Sequence, residues 1–172
     1  MQKVAVDDVE RVPHLMDVNS ERRPISRAVE DMDFAMVIFE LEPGESFSGA
    51  LHKHFNQEEL FYVMEGTATF ECKKEADAES EFVTVGPNEL IHFGEDDIYQ
   101  TGGNDGEDLV RAVTFGVPGA RHEWEQTEGL LECPECDRET PHYFLPTEDA
   151  TDTRMPSPDE MRIECKACGN EL

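Results

Sequence analysis

Residues 44–66 read GESFSGALHKHFNQEELFYVMEG, and the fold turns on how that stretch is laid out. On a β-strand successive side chains point to opposite faces, so His52 and His54 share a face while Lys53 turns away. After the FNQE break the chain can return as a second strand, with Glu59, Phe61 and Val63 on one face and Leu60, Tyr62 and Met64 on the other. That parity brings Glu59 into the interior beside the two imidazoles. Two histidines and one carboxylate converging on a point form a facial set that suits iron(II) and related divalent metals and leaves coordination positions open. By the same parity the adjacent Glu58 faces away. His92, on a separate predicted strand, could approach only if the parity is off by one. The alternative is that the histidines are polar groups lining a pocket without a metal.

Outward from this stretch the chain reads as short strands. Phe34 to Leu41 is an apolar core strand ending at a Pro43-Gly44 turn. Thr67 to Cys72, Phe82 to Val85, Leu90 to Phe93, Ile98 to Thr101 and Leu109 to Val117 follow, separated by an acidic hairpin loop and by turns rich in Gly, Asn and Asp. Short strands spaced by turn signals, with no sustained helical period, predict an all-β sandwich or barrel. Residues 1–32 are charged and weakly patterned and are expected to wrap the outside. Tyr62 and Tyr99 lie in apolar strands as candidates for proton transfer or for plain core packing.

Pro118-Gly119 closes this unit, giving residues 1–119 as a barrel with an N-terminal extension and 120–172 as a linker and a second module. That module holds Cys133-Pro-Glu-Cys136 and Cys165-Lys-Ala-Cys168, with 28 residues between Cys136 and Cys165. Four thiolates can close a tetrahedral zinc site with no open position, which makes the role structural. Disulfides and redox thiols are the competing readings. His142 lies between the two pairs, and residues 146–160 read as a loop. A module of about 40 residues has too little core to fold without its metal. Cys72, alone on a predicted barrel strand, reads as a small core hydrophobe.

The 172 residues carry 40 Asp and Glu against 14 Lys and Arg, for a formal net charge of −26. Such acidity with few lysines fits a surface adapted to molar salt, where screening suppresses self-repulsion. An acidic disordered chain is disfavoured, since 38% of the residues are hydrophobic and cluster in runs such as FAMVIFEL and LFYVM. Binding of nucleic acid is disfavoured by the like-charged field. With no apolar run of membrane-spanning length and no signal-peptide pattern, the protein is expected in the cytoplasm, without membrane association.

His52, His54, Glu59 and Gly66 resemble the first motif of the cupin superfamily, which runs Gly, His-x-His, a short gap, Glu, six residues, Gly; Gly44 stands two places further from His52 than that motif asks. In the second cupin motif, Pro-x-Gly-x-x-His-x-x-x-Asn, Asn104 takes the asparagine slot. Gln100 then stands where the family has a metal-binding histidine, with Glu95 and Asp97 in the proline and glycine slots. The resemblance spans residues 34–117 and implies a double-stranded β-helix, a jelly-roll barrel. It also implies a divalent metal (iron, manganese, nickel, copper or zinc) on His52, His54 and Glu59, with Gln100 near or on it. The whole chain resembles small acidic single-domain cupins of halophilic archaea that carry a C-terminal four-cysteine zinc ribbon. The implied functions are metal-dependent conversion of a small molecule, oxygenase- or isomerase-like, or non-catalytic sensing of a small molecule or metal. A homodimer and a protein partner docked on the ribbon are also expected.

Overall fold

The computed structural model describes residues 1–12, 14, 16–120, 123–150 and 160–172. An N-terminal segment leads into β1 (Glu21–Pro24) and a one-turn helix α1 (Ile25–Ala28). Then come β2 (Ala35–Leu41), β3 (Leu51–His54), β4 (Glu58–Glu65), β5 (Ala68–Lys73), β6 (Glu81–Val85), β7 (Leu90–Phe93), β8 (Tyr99–Gly103) and β9 (Val110–Val117). Three more strands follow: β10 (Thr127–Cys133), β11 (Arg138–Pro146) and β12 (Met161–Cys165). Among the described residues no helix is long and apolar enough to cross a membrane.

The strands form two antiparallel sheets, one ordered β1-β2-β9-β4-β7 and the other β12-β11-β10-β3-β8-β5-β6. Alternation along each strand sends one set of side chains into the space between the sheets. Phe39 and Leu41 of β2, Phe61 and Val63 of β4, Phe70 and Cys72 of β5, and Phe93 of β7 meet there with Phe47 from the β2–β3 connection. The rings pack edge to face, tilted or stacked: Phe61 meets Phe70 with centroids 5.0 Å apart, Phe47 meets Phe61 at 5.2 Å, and Phe47 stacks on Phe70 at 5.7 Å. Gly66, which closes the opening stretch, sits at φ +74, and a Cβ there would lie 2.4 Å from the Leu109 carbonyl oxygen. Only glycine tolerates both the left-handed backbone and that approach.

The four-cysteine segment is stitched into the barrel's own sheet. β10 lies antiparallel to β3, with Thr127 opposite His54, Glu128 opposite Lys53, Gly129 opposite His52 and Leu130 opposite Leu51. On the outer face of that sheet Leu51, Tyr99 and Leu130 form a second small apolar cluster. An ion pair from Lys73 of β5 to Glu139 of β11, at 2.5 Å, ties barrel and ribbon together. Most of the predicted 146–160 loop lies outside the described residues.

Candidate metal centres

The parity read from the sequence determines which side chains meet. β3 is held between β10 and β8, with His52 opposite Gln100 of β8, and β4 in the facing sheet presents Glu59 on the same face as the core residues Phe61 and Val63. One donor atom from each of His52, His54 and Glu59 can be chosen so that all lie within 4.8 Å of one another. His52 Nε2 is 3.5 Å from Glu59 Oε2, and His54 Nε2 is 3.6 Å from Glu59 Oε1. The far side of each ring is anchored. His52 Nδ1 donates to the Ala50 carbonyl at 3.1 Å, and His54 Nδ1 is paired with the Thr127 hydroxyl at 2.9 Å. Thr127 Oγ1 donates in turn to the Glu123 carbonyl at 3.2 Å, so its lone pair takes the imidazole N–H. Both rings are thereby fixed with Nδ1 protonated and Nε2 turned toward Glu59, the tautomer that a metal ligand needs.

Gln100, the residue in the expected histidine slot, is 2% exposed. Its amide nitrogen donates to Glu59 Oε2 at 2.6 Å and lies 3.3 Å from His52 Nε2. Its carbonyl oxygen is buried with no hydrogen-bond partner among the described residues. A buried acceptor left unpaired beside two imidazoles and a carboxylate is what a cation satisfies, so these residues fit a divalent ion. The cavity they share with Gln57, Phe93, Gly94 and Ile98 measures about 10 Å³, room for about one water.

Electrostatics couple the imidazoles to the carboxylate. Burial presses the His52 imidazole down, but the hydrogen bond and charge of Glu59, helped by the Ala50 carbonyl, turn the net shift upward. Burial pushes Glu59 up, yet the charge of His54 and hydrogen bonds from both imidazoles hold it well below the usual carboxylate range. Glu58 and His92 pair with each other at 2.7 Å on the outer surface, so neither reaches the site. Tyr62 also faces outward, its hydroxyl donating to Asn88 at 3.1 Å. Asn104, the asparagine of the second motif, is buried and bridges the Leu41 and Asp108 carbonyls, a loop-fixing role.

At the other end of the seven-stranded sheet Cys133, Cys136, Cys165 and Cys168 converge, with donor atoms again within 4.8 Å of one another. Cys133 and Cys168 sulfurs are 3.6 Å apart, and those of Cys136 and Cys165 are 4.0 Å apart, too far for disulfide bonds. The Thr140 hydroxyl is the main cause that brings the Cys165 thiol down to about 6, favouring the thiolate that ligates metal. Among the described residues no fifth His, Cys, Asp or Glu joins this group, and four thiolates suit zinc in a closed site. His142 stays outside this group; fully buried, it donates from Nδ1 to the Thr140 carbonyl at 2.7 Å.

Two residues near the barrel site were not legible in the sequence. Thr127, which opens β10, carries no motif, and only the β10–β3 pairing brings it to His54. His14, from the N-terminal segment, is half-buried; its Nδ1 accepts the Met16 amide at 3.1 Å. Burial, with the charges of Arg22 and His52, lowers its pKa to about 4, so it is neutral at ordinary pH.

No protein-family model matches the sequence, and no curated protein matches it. Solved structures do resemble the fold. One, described as a sugar phosphate isomerase from Acidithiobacillus ferrooxidans, superposes with a TM-score of 0.56 at 17% identity, over 88% of this chain and 80% of that one. Another, a sugar phosphate isomerase from a cupin superfamily in Silicibacter pomeroyi, gives 0.57 at 18% identity, over 99% and 92%. At that identity the likeness is one of fold, and the fold is that of the cupins.

Proposed function

We propose that the protein is a metal-dependent cupin that converts a small oxygen-donor molecule at a divalent ion held by His52, His54 and Glu59, with a structural zinc on the four cysteines. The observation that carries this reading is the pinned pair of imidazoles, both presenting Nε2 to one partly buried carboxylate beside the unpaired Gln100 carbonyl. Iron, manganese, nickel, copper and zinc all suit the donor set. When bound, the ion supplies Lewis-acid activation of oxygen ligands or dioxygen chemistry, as in an oxygenase or isomerase. The chain's own part is to hold the donors: Ala50 and Thr127 fix the rings, Gln100 steadies Glu59, and Phe93 and Ile98 keep the cavity small. Because the fold hosts unrelated chemistries, the activity for which the structural neighbours are named serves only to put phosphorylated sugars in the first substrate screen. A cytoplasmic homodimer, adapted to high salt, with a protein partner on the ribbon, belongs to the same proposal.

Elemental analysis tests it. Two metal equivalents are expected, of which one disappears in the His52→Ala, His54→Ala double variant while ribbon zinc stays. A single equivalent lost with the ribbon cysteines would sink the barrel metal. The second reading, a metal sensor without turnover, is favoured by a cavity sized for a single water. Metal-dependent loss of a metabolite that vanishes in the double variant decides between the two.

A further inference from the structure

We infer that the four-cysteine ribbon sets the metal affinity of the barrel site, acting through two adjacent residues of β10, Thr127 and Glu128. This rests on the barrel-metal reading above. β10 begins against the histidine strand and ends at Cys133, the first thiol of the ribbon. In cross-strand register Cys165, His142, Gly129, His52 and Gln100 stand in one row on one face of the sheet. Cys165 is three strand spacings from His52, roughly 14 Å.

Thr127 and Glu128 point to opposite faces and are 4% and 5% exposed. Thr127 faces inward and fixes the His54 ring through its hydroxyl. Glu128 faces outward and accepts two hydrogen bonds, one from the Tyr99 hydroxyl and one from the Lys166 ammonium. Tyr99 is the neighbour of Gln100 on β8, and Lys166 lies between Cys165 and Cys168. A buried carboxylate on β10 is thus clamped between the barrel site's strand and the ribbon's second cysteine pair. The Lys166 backbone is held too, its amide donating to the Pro141 carbonyl of β11 at 2.9 Å.

Without an ion the ribbon cysteines take up protons and lose the four bonds that close the site, so an empty ribbon opens. Lys166 then leaves Glu128, a buried carboxylate loses its charged partner and keeps only the Tyr99 hydroxyl, and β10 no longer holds Thr127 against His54. Thr127 and Glu128 touch neither ion; they are positioning residues. Outer hydrogen-bond partners of metal-binding histidines govern affinity by about 10- to 100-fold. Coupling between two sites is reciprocal, so a barrel ion must retain ribbon zinc by the same factor.

The test uses the full chain with zinc in the ribbon and Mn²⁺ as the barrel probe, because manganese prefers imidazole and carboxylate to thiolate. Free Mn²⁺ is followed by electron paramagnetic resonance. Removing the zinc should weaken Mn²⁺ binding by about 10- to 100-fold. Thr127→Val should do the same with zinc in place, and Thr127→Ser should restore affinity, which a merely structural role for the position would not produce. Lys166→Met keeps all four thiols, so it reports on the clamp even if the stripped ribbon unfolds; weakened Mn²⁺ binding is expected there too. Affinities within about twofold across zinc-loaded, zinc-free and Lys166→Met protein would overturn the coupling. If zinc-loaded wild-type protein takes up no Mn²⁺, nor any of the other four metals, the barrel-metal reading fails and the coupling falls with it.

Discussion

Acidification should expel the barrel ion, with a size that follows from His52 and Glu59. The His52 imidazole is pressed down by burial but raised more by the hydrogen bond and charge of Glu59, for a net value above 6.5. A metal needs the Nε2 lone pair, so below the His52 pKa each bound ion must displace a proton. Apparent affinity then falls about tenfold per pH unit, or about 1.4 kcal/mol. Glu59 does not add to this loss near neutrality, because its pKa lies well under 4.5. In the metal-free protein the sign is opposite. A histidine whose folded pKa exceeds its unfolded one gives stability that is fully present below 6.5 and lost as the pH rises through the folded value.

The metal's contribution to stability, RT ln(1 + [L]/Kd), therefore grows with pH by up to about 1.4 kcal/mol per unit. For a chain of this size a kilocalorie moves Tm by about 2–4 °C, so the metal-induced shift should widen by roughly 3–6 °C per pH unit. Calorimetric melts of zinc-loaded protein, with and without a fixed excess of Mn²⁺, measure it between about pH 5.5 and 7.5. A shift that stays constant across that range would refute His52 as a ligand whose proton the ion displaces.

Glu59→Gln should abolish barrel metal uptake while Glu58→Gln leaves it unchanged, measured by metal analysis after dialysis, because only Glu59 faces the imidazoles. Gly66→Ala must place a β-carbon 2.4 Å from the Leu109 carbonyl at φ +74. The left-handed backbone alone costs about 1–2 kcal/mol, so with the added clash Tm should drop by about 5 °C or more. A wild-type melting curve in that variant would count against the turn as described. Cys165→Ser should lose the ribbon zinc, read as the missing equivalent in elemental analysis. Finally, with a net charge of −26, Tm should climb from dilute buffer to molar KCl as self-repulsion is screened; equal values would contradict a surface adapted to salt.

The barrel was legible wherever its two faces differ chemically. Phe61 and Val63 alternate with Leu60 and Tyr62, and because the period is two, placing the first pair in the core also placed Glu59 beside the histidines. Gly66 was legible only as the closing position of the first motif; its left-handed backbone, at φ +74, comes from the structure. The union of barrel and ribbon was not legible. β10 pairs with β3 across more than seventy intervening residues, and such pairing is written in backbone hydrogen bonds that any side chain can make. Thr127 and Lys166 acquire their roles only through that register. Gln100 was intermediate: the motif fixed its slot, but only the packed interior turns its amide nitrogen to Glu59 and leaves its carbonyl unpaired.

The two candidate centres divide the work by what they leave open. Four thiolates surround an ion completely, so the ribbon site can hold structure and offers nothing to a substrate. Two imidazoles and a carboxylate leave coordination positions free, and the weak amide donor at Gln100 frees more than a histidine there would. Yet a cavity of about 10 Å³ admits little beyond a single water-sized donor. A molecule bound here would present one small oxygen-bearing end to an ion held by His52, His54 and Glu59, in a cavity walled in part by Gly94 and Ile98. Selection by such a site operates on the coordinating group first and on molecular shape second. Enlarging the wall by Ile98→Ala should accordingly broaden the range of molecules turned over without weakening Mn²⁺ affinity, whereas changes at Thr127 should weaken affinity without broadening that range.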